Sequence, residues 1–574
     1  MKKIAAAFLF CFCALISNAA LPGRHKVSPD ALSADTESTI TVIVQWKCPI
    51  GSATANVIEQ LGGTTVSEFK SVKQGVYKLP ASALNGLESN PDVNYVSLDR
   101  AIHHKLDYTA SAVNASAAWG AGFIGTGVAV AVIDSGINPD ANLTSIIYSE
   151  DFTGAKGSKA TGDQFGHGQH VAGIIASNSS VTAVPSGPVS SYTRNFIGLA
   201  PGASLVDLRV LDKMGVGSDS TLIAAVDRAI TLKDTYNIRV INISLGRAVY
   251  ESYLLDPVCQ AVEAAWQSGI VVVVAAGNDG RDNTYGNQGY GTITAPGNDP
   301  YVITVGAMKT ESTYDRSDDL IATYSSKGPT AIDHVVKPDL VAPGNRVVSL
   351  LATNSTLVSQ NPSNLVLQSY YEITSNGQAK KSSKNFFILS GTSMAAPVVS
   401  GAAAALIQAS PTLTPDQVKI LLMQSAYKSF PDSSSATEPT TGVTYTDYYD
   451  IFTTGAGYLD LGAAVAAIGS VPPAGSALSP IASYDDATGA VTLSYDPSSV
   501  FGNQAIWGTA SMWGTNAIWG TSVLNGNRAI WGTRAIWGTT TTDATRAMWG
   551  TSAMYAATST TSPKSSVISI LGEQ

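Results

Sequence analysis

The sequence predicts an α/β fold in which a parallel sheet is flanked by helices on both faces, and three observations predict it. Continuous apolar runs are typical of strands buried on both faces of a sheet. These runs lie at 128–133, 240–244 and 270–276. Helical patterns alternate with them, which favours parallel strands. These patterns lie at 220–231, 257–267 and 394–409. Asp134 and Asn278 fall just past the ends of two of the runs, at the sheet edge where such folds bind ligands.

A small α+β domain is predicted over residues 36–103. Alternating or β-branched residues indicate its strands, and helical spacing indicates its helices. The strands lie at 40–46, 76–79 and 93–98, and the helices at 53–61 and 83–87. The larger sheet domain is predicted over residues 115–468.

The chain beyond residue 468 changes character. Residues 469–502 are predicted to be a linker with short strands, because Pro, Ala, Ser and Gly dominate their first part. Residues 503–551 then repeat Trp-Gly-Thr at intervals of six or twelve, and residues 552–574 form a tail. The repeated residues are Trp507, Trp513, Trp519, Trp531, Trp537 and Trp549. We expect a mostly β or irregular structure, since an even period places every indole on one face of an extended chain.

Composition and net charge argue against nucleic-acid binding. Charged residues make up 13% of the 574 residues, against about 25% in typical domains. The net charge is −9 and no run of Lys or Arg stands out. Nucleic-acid binding is therefore not expected, because neutralising phosphates needs clustered cations.

Residues 1–19 are predicted to be a signal peptide for bacterial-type export. Two lysines precede an apolar run at 4–16, and small residues at 17–19 suit a signal peptidase. A lipid anchor on Cys13 is a weaker alternative, because small residues do not precede it. We expect a secreted or cell-surface protein. Of the other cysteines, Cys48 and Cys259 are more consistent with two separate thiols than with a disulfide.

Three segments carry the residue types of a serine nucleophile with its base and orienting acid. They read AVIDSGI at 131–137, DQFGHGQHVAG at 163–173 and GTSMAAP at 391–397. A serine hydroxyl is a poor nucleophile at neutral pH and needs a base to take its proton. The chain order is Asp134, His167, Ser393, which distinguishes one lineage of serine hydrolases from the others.

These segments resemble the three signatures of the subtilisin-like serine proteases, the subtilases. Further family-like segments read SLG at 244–246, AAGN at 275–278 and VAPG at 341–344. The resemblance covers residues 115–468 and implies a secreted serine endopeptidase that cuts peptide bonds in proteins through an acyl-enzyme. Gln169 departs from the family, which usually has Thr at that position, and we expect a local packing change there.

The resemblance implies a role for each site residue. Ser393 attacks the peptide carbonyl, His167 takes its proton, and Asp134 holds the imidazole in the required tautomer. The Asn278 amide and the Ser393 N–H donate to the oxyanion, each donor being worth about 3–4 kcal/mol. His170 and Asp163, in the same segment as His167, are interpreted as packing and capping residues.

Substrate is expected to bind as an added strand along Ser244, Leu245 and Gly246. Gly246 and Gly277 are expected to leave the first pocket open, which predicts broad specificity with a preference for large apolar residues. No cofactor is expected for catalysis. The resemblance allows structural calcium with Asp140 as one ligand, but the Ser/Pro-rich stretch 177–194 replaces the expected partner loop, so no metal ligand set is assigned.

The domain at 36–103 resembles the inhibitory propeptide of secreted subtilases. The resemblance implies that it assists folding, occupies the cleft and is removed by self-cleavage within an exposed segment at 103–115. The Trp repeats have two interpretations. Their indoles stack on polysaccharide or cell envelope, or they form a core, which we favour because indole buries a large area.

Two other function classes compete with a protease. A catalytically dead subtilase-fold binding protein is disfavoured because Asp134, His167, Asn278 and Ser393 are all present. An esterase or lipase of the α/β-hydrolase type has a different chain order and a Gly-x-Ser-x-Gly elbow, which Ser393 does not occupy.

Overall fold

The computed structural model describes most of the chain in two compact units, residues 1–103 and 104–574. The described residues are 26–32, 38–98, 108–143, 145–154, 162–179, 194–284, 287–371, 381–471, 474–485, 490–502 and 572–573. The predicted signal peptide and the Trp-Gly-Thr repeats lie outside them.

The described part of the smaller unit combines three helices with an antiparallel sheet. Its elements are α1 (Pro29–Leu32), β1 (Thr39–Trp46), α2 (Ser52–Gln60), β2 (Thr64–Phe69), β3 (Gln74–Pro80), α3 (Leu84–Ser89) and β4 (Val93–Leu98). The strand order is β2-β3-β1-β4. Tyr77, Val44 and Leu87 are buried in its core, and the Trp46 indole donates to the Tyr77 hydroxyl at 3.1 Å. The α+β prediction holds for these residues, but strand β2 was missed because its sequence, TTVSEF, is mostly exposed and polar.

The larger unit is an α/β domain whose central sheet is parallel apart from one edge strand. Its first elements are α4 (Thr109–Ala112), α5 (Ala115–Gly120), β5 (Ala129–Asp134), β6 (Ile146–Asp151), α6 (Gly168–Ala176), β7 (Ser204–Arg209), α7 (Asp219–Tyr236), β8 (Ile238–Ile243), α8 (Pro257–Gln267), β9 (Val271–Ala275), β10 (Ile303–Lys309), β11 (Leu320–Ile321) and β12 (Leu340–Pro343). In the described chain the sheet has the order β11-β10-β9-β8-β5-β7-β6, with β12 also paired to β10. The predicted parallel α/β sheet is therefore confirmed.

The remaining elements follow that sheet in sequence. They are β13 (Val347–Leu350), α9 (Thr356–Gln360), β14 (Leu365–Leu367), β15 (Ser382–Leu389), α10 (Thr392–Ala409), α11 (Pro415–Ser425), β16 (Ser433–Thr437), β17 (Thr444–Tyr448), α12 (Leu461–Ala466), β18 (Ile481–Asp485) and β19 (Ala490–Ser494). Strands β13, β15 and β14 form a small antiparallel sheet, while β16–β17 and β18–β19 are hairpins.

Side-chain caps fix where two of the long helices begin. The Asp256 carboxylate accepts from Val258 N–H at 2.9 Å, and Pro257 opens helix α8 where its missing N–H costs nothing. Ser218 caps helix α7 through Thr221 N–H. Both helices contact the sheet and each other, so their caps set the position of the cleft wall beside strand β8.

Helix α10 is apolar and central. Among the described helices it alone is long and apolar enough to cross a bilayer, yet 83% of that stretch is buried inside the protein, as in a core helix. Its first turn carries Ser393, so the predicted nucleophile lies on one of the most buried elements of the unit.

Two predicted boundaries differ from the structure. Residues 109–115, predicted to belong to an exposed cleavage segment, form helix α4 and the start of α5, and Ala110 and Ala115 are fully buried in the main core. Apolar Ala and Val side chains in this stretch give it a core face that the sequence reading overlooked.

Residues 474–502 are not a free linker where they are described, because Val500 and Phe501 pack on helix α11.

The two described cysteines carry free thiols in this structure. Cys48 is half-buried and Cys259 is buried. The Cys259 thiol donates to the Asn298 side-chain oxygen at 3.4 Å, and burial raises its pKa. It therefore behaves as a packed, protonated residue of the core.

Candidate active site

Asp134 and His167 meet at the carboxyl end of strand β5. Asp134 ends that strand and is fully buried, and His167 directly precedes helix α6. The Nδ1 atom of His167 lies 2.8 Å and 2.9 Å from the two carboxylate oxygens of Asp134. With the proton on Nδ1, the opposite nitrogen, Nε2, is left as the basic end of the ring.

The environment of His167 favours its charged form. Burial alone lowers the pKa of an imidazole, but the charge of Asp134 and its hydrogen bond more than offset this, with a smaller contribution from Asp163. The pKa of His167 is therefore raised above 6.5. Its side chain is 15% exposed, so the ring can exchange protons with a bound molecule.

Ser393 is the second residue of helix α10 and is half-buried. Its hydroxyl donates to the Ser244 carbonyl at 3.0 Å, and the Ser244 hydroxyl donates to the Ser393 carbonyl at 2.9 Å. No hydrogen bond between Ser393 and His167 is present in the described structure. Such contacts are often absent without substrate, and rotation about the Cα–Cβ bond of Ser393 would redirect the hydroxyl.

Asn278 follows strand β9 beside the start of helix α10. Its side-chain oxygen accepts from the Thr392 backbone N–H at 2.9 Å and from the Thr392 hydroxyl at 3.2 Å. Because its oxygen is held this way, the amide NH₂ is the end that remains to donate to an oxyanion. Thr392 is thus a site residue that sequence reasoning missed, although it lies directly before Ser393.

A buried carboxylate fixes the His167 segment against strand β5. Asp163 accepts from the Gln169 N–H at 2.8 Å and from the Ser135 hydroxyl at 2.8 Å. Burial raises the pKa of Asp163 to about 6, although its hydrogen bonds oppose the shift. Asp163 therefore caps helix α6, in line with the capping interpretation. Ser135 was not predicted, because a Ser after Asp134 reads as a turn residue.

Gln169 and His170 are both fully buried on helix α6. The Gln169 side-chain oxygen accepts from the Asn138 N–H at 2.8 Å, which braces the loop after Asp134. The Nε2 atom of His170 lies 3.1 Å from the carbonyls of Val347 and Phe387, and burial lowers the pKa of His170 to about 3. His170 is neutral at ordinary pH and links α6 to the small sheet.

The predicted substrate residues line a cleft of about 480 Å³ beside His167. Ser244, Leu245 and Gly246 all contribute to its wall. The apolar part of the wall comes from Phe165, Val210, Leu211, Val216, Leu222 and Val258. Gly277 does not line this cleft. It adopts a φ of +108°, and a Cβ there would lie 2.7 Å from the Ser326 hydroxyl oxygen, so glycine is required by backbone geometry and packing.

Asp140, the candidate calcium ligand from the sequence, lies among the described residues. Within them no group of three or more His, Cys, Asp or Glu side chains converges. One oxygen of Asp140 is engaged by the backbone N–H and side-chain amide of Asn142, at 2.7 Å and 2.8 Å. Residues 180–193, which replace the expected partner loop, lie outside the described chain.

Comparison with known proteins gives consistent results over this unit. The family model described as "Subtilase family" matches residues 125–450. Serine protease AprX of Bacillus subtilis (strain 168) is 35% identical over 365 residues, covering 62% of this chain and 74% of that protein. Subtilisin E of the same strain is 32% identical, covering 65% and 80%. The extracellular serine proteinase of Thermus sp. (strain Rt41A) is 30% identical, covering 70% and 85%.

Proposed function

The chain belongs to the subtilase family and is a subtilisin-like serine endopeptidase, and from that premise we propose that it is secreted, is made as a self-processing zymogen and cuts with Asp134, His167 and Ser393. The observation that carries the site assignment is the contact of His167 Nδ1 with both oxygens of the buried Asp134. This contact leaves the opposite ring nitrogen available as a base.

Acylation begins when the Ser393 hydroxyl turns from the Ser244 carbonyl toward His167. Nε2 takes the hydroxyl proton as Oγ bonds to the carbonyl carbon of the scissile peptide, and Asp134 stabilises the imidazolium that results. The C–N bond then breaks, and His167 passes its proton to the leaving amine. Water repeats the sequence against the acyl-enzyme and releases Ser393 with its proton restored.

The tetrahedral intermediate places a negative charge between strand β9 and helix α10. The Asn278 NH₂ group and the Ser393 N–H are the proposed donors. Thr392 is a positioning residue, because its N–H and hydroxyl hold the Asn278 oxygen at 2.9 Å and 3.2 Å. Donors fixed before the reaction cost no reorganisation when the charge develops.

Casein hydrolysis by Ser393→Ala tests the site assignment. We expect turnover to fall by about 10⁶-fold, the loss typical of removing a triad nucleophile. Ser425→Ala is the matched control, since that hydroxyl donates to the Leu421 carbonyl at 2.7 Å at the end of helix α11. A Ser393→Ala protein with normal turnover would refute the assignment. Failure of the parent protein itself to cut casein would instead favour the competing subtilase-fold binding protein.

Self-processing is supported by the family and by the α+β unit that precedes the protease unit. The buried helices α4 and α5 restrict the proposed cut to the chain before Tyr108. In a protease-free host, Ser393→Ala should accumulate as a precursor, while Ser425→Ala should be trimmed. Intact-mass measurement distinguishes the two, and normal trimming of Ser393→Ala would exclude self-cleavage.

Substrate preference is proposed from the cleft. Phe165, Leu211 and Leu245 make its wall largely apolar, and the backbone at 244–246 offers strand-like pairing. We propose broad specificity with a preference for large apolar residues before the cut. Cleavage of a peptide library by the mature enzyme tests this, and a preference for charged residues there would contradict it.

Export, calcium and the Trp repeats are separate proposals. The name of the Thermus relative describes that protein as extracellular, which supports secretion here.

A thermal melt with and without chelator tests structural calcium. Pull-down of the full chain on envelope polysaccharides tests whether the indoles bind sugars. A variant with the repeat tryptophans replaced by Ala, assayed in the same way, should bind less if they do.

A further inference from the structure

Residues 572 and 573 make a close set of contacts within the larger unit. The Glu573 N–H donates to the Asn345 side-chain oxygen at 2.9 Å, and the Asn345 amide donates to the Glu573 carbonyl at 3.0 Å. Glu573 is only 5% exposed. A reciprocal pair of this kind fixes both the position and the direction of the backbone.

The Glu573 carboxylate lies among matched donors. One oxygen accepts from Arg281 Nη2 at 2.7 Å, from the Thr323 backbone N–H at 2.8 Å and from the Thr323 hydroxyl. The other oxygen lies 3.4 Å from Lys309 Nζ. Both cations are nearly buried, with 7% and 9% of their side-chain surface exposed. Each also has a second carboxylate partner, since Glu311 lies 3.2 Å from Lys309 Nζ and Glu438 lies 2.7 Å from Arg281 Nη1, and Glu573 adds a shared anion between the two cations.

Arg281 anchors this arrangement. Its Nε donates to the Thr323 hydroxyl at 2.6 Å, its Nη1 donates to Glu438 at 2.7 Å, and its guanidinium lies 4.6 Å from the Tyr445 ring centre. Glu438 is 16% exposed, whereas the Glu573 carboxylate is 1% exposed. Glu573 is therefore the more deeply buried of the two carboxylates that Arg281 binds.

Gly572 fits where no other residue would. Its φ is +77°, and a Cβ would lie 2.4 Å from the Ser390 hydroxyl oxygen and 2.7 Å from Cγ of Arg346. Both the backbone conformation and the lack of space demand glycine before the glutamate.

We propose that Arg281, Lys309, Thr323 and Asn345 form a receptor for a Gly-Glu dipeptide, and that residues 572–573 are its intramolecular ligand. The receptor recognises a side-chain carboxylate, a backbone amide pair and the absence of a side chain at the preceding residue. The Trp-Gly-Thr repeats thus lie between two attachments to the same unit, Phe501 packed against helix α11 and Glu573 in the receptor.

Hydrogen exchange of the full chain, made inactive by Ser393→Ala, tests the docking without relying on proteolysis. Gly572→Val blocks docking by steric clash, and Glu573→Gln removes the charge. We expect the Thr323 amide, which donates to Glu573, to exchange about tenfold faster in both variants. Gly469→Val is the control, because a Cβ at Gly469 meets nothing within 4 Å, and exchange at Thr323 should match the parent.

A free peptide then tests recognition. The acetylated pentapeptide Ile-Leu-Gly-Glu-Gln, copied from residues 570–574, should restore slow exchange of Thr323 in Gly572→Val, and the same peptide with Gln in place of Glu should not. Equal exchange of Thr323 in the parent and Gly572→Val would overturn the docking. No restoration by the Glu peptide, or equal restoration by both peptides, would overturn the receptor.

Discussion

Two histidines three residues apart belong to the same helical segment and face opposite chemical environments. His167 meets a buried carboxylate at one end and the cleft at the other, and its pKa is raised. His170 meets only backbone carbonyls through Nε2, and burial lowers its pKa to about 3. Burial acts in the same direction on both rings, so the presence of Asp134 decides which one can serve as a base.

The comparison shows what separates a working side chain from a structural one in this fold. Both imidazoles are oriented by hydrogen bonds, that of His167 at the end of strand β5 and that of His170 against the small sheet. Only His167 has an anion to stabilise its charged state and an open path to a substrate. Four predictions test whether charge and access account for the difference.

Replacing His167 with Ala should give the largest effect. We expect kcat to fall by about 10⁵–10⁶-fold, because His167 is the proposed base for Ser393. The free energy of unfolding should also fall, because the buried Asp134 carboxylate loses its imidazole partner. Casein turnover and a urea titration on one preparation measure both quantities. A folded His167→Ala protein that keeps the kcat of the parent would refute the proposed base, and the contrast with His170 would disappear.

Replacing Asp134 with Asn should have the next largest effect. The amide removes the charge that raises the pKa of His167 and favours the wrong tautomer, so we expect kcat to fall by about 10⁴-fold. The pKa seen in the pH profile of residual activity should also drop. If kcat falls and that pKa stays at its parent value, Asp134 acts through geometry and not through charge.

His170→Ala should reverse the pattern. Losing the ring opens a cavity and leaves two buried carbonyls without their shared donor, which together cost about 3 kcal/mol in the free energy of unfolding. The kcat of the folded fraction should remain within about twofold of the parent. Urea titration with active-site counting measures this, and a hundredfold loss of kcat would contradict the structural role.

The smallest expected effect is a difference between His167 and His170 in how activity and stability depend on pH. His167 must be neutral to act, so kcat/KM should rise with pH through an apparent pKa above 6.5. His170 binds its proton more readily when unfolded, so its stabilising contribution is complete above pH 6.5 and is lost as pH falls toward 3, by at most about 1.4 kcal/mol per pH unit. The stability difference between the parent and His170→Leu over pH 4–7 isolates that slope. A difference independent of pH would show that His170 does not titrate differently in the folded state.

The sequence was most informative where a local pattern carries the structure. Continuous Val and Ile runs located strands β5, β8 and β9, since full burial demands apolar residues at every position. Strand β2 had no such pattern, because its side chains are mostly exposed. Apolar residues before Ala115 belong to the core only through partners far along the chain, so residues 109–115 were mistaken for an exposed segment.

Within the site, sequence motifs identified the proposed reacting groups but not the groups that hold them. Thr392 and Ser135 are small polar residues whose ordinary interpretation is a turn or cap. Their contacts to Asn278 and Asp163 exist only after distant segments pack together. Glu573 is a stronger case, because its partner Arg281 is 292 residues away and no local pattern predicts the pairing.

Two reciprocal hydrogen bonds between Ser244 and Ser393 hold the Ser393 hydroxyl in an unreactive position. The Ser393 hydroxyl donates to the carbonyl of Ser244, in the proposed substrate-binding segment, so the proposed acylation requires this hydrogen bond to be broken. A peptide bound along Ser244 would contact the segment that holds the Ser393 hydroxyl. Substrate binding would therefore be coupled to release of that hydroxyl. Small acylating reagents that do not engage this strand should therefore react slowly, and a short cleft-binding peptide that leaves Ser393 accessible should speed their reaction instead of protecting the serine.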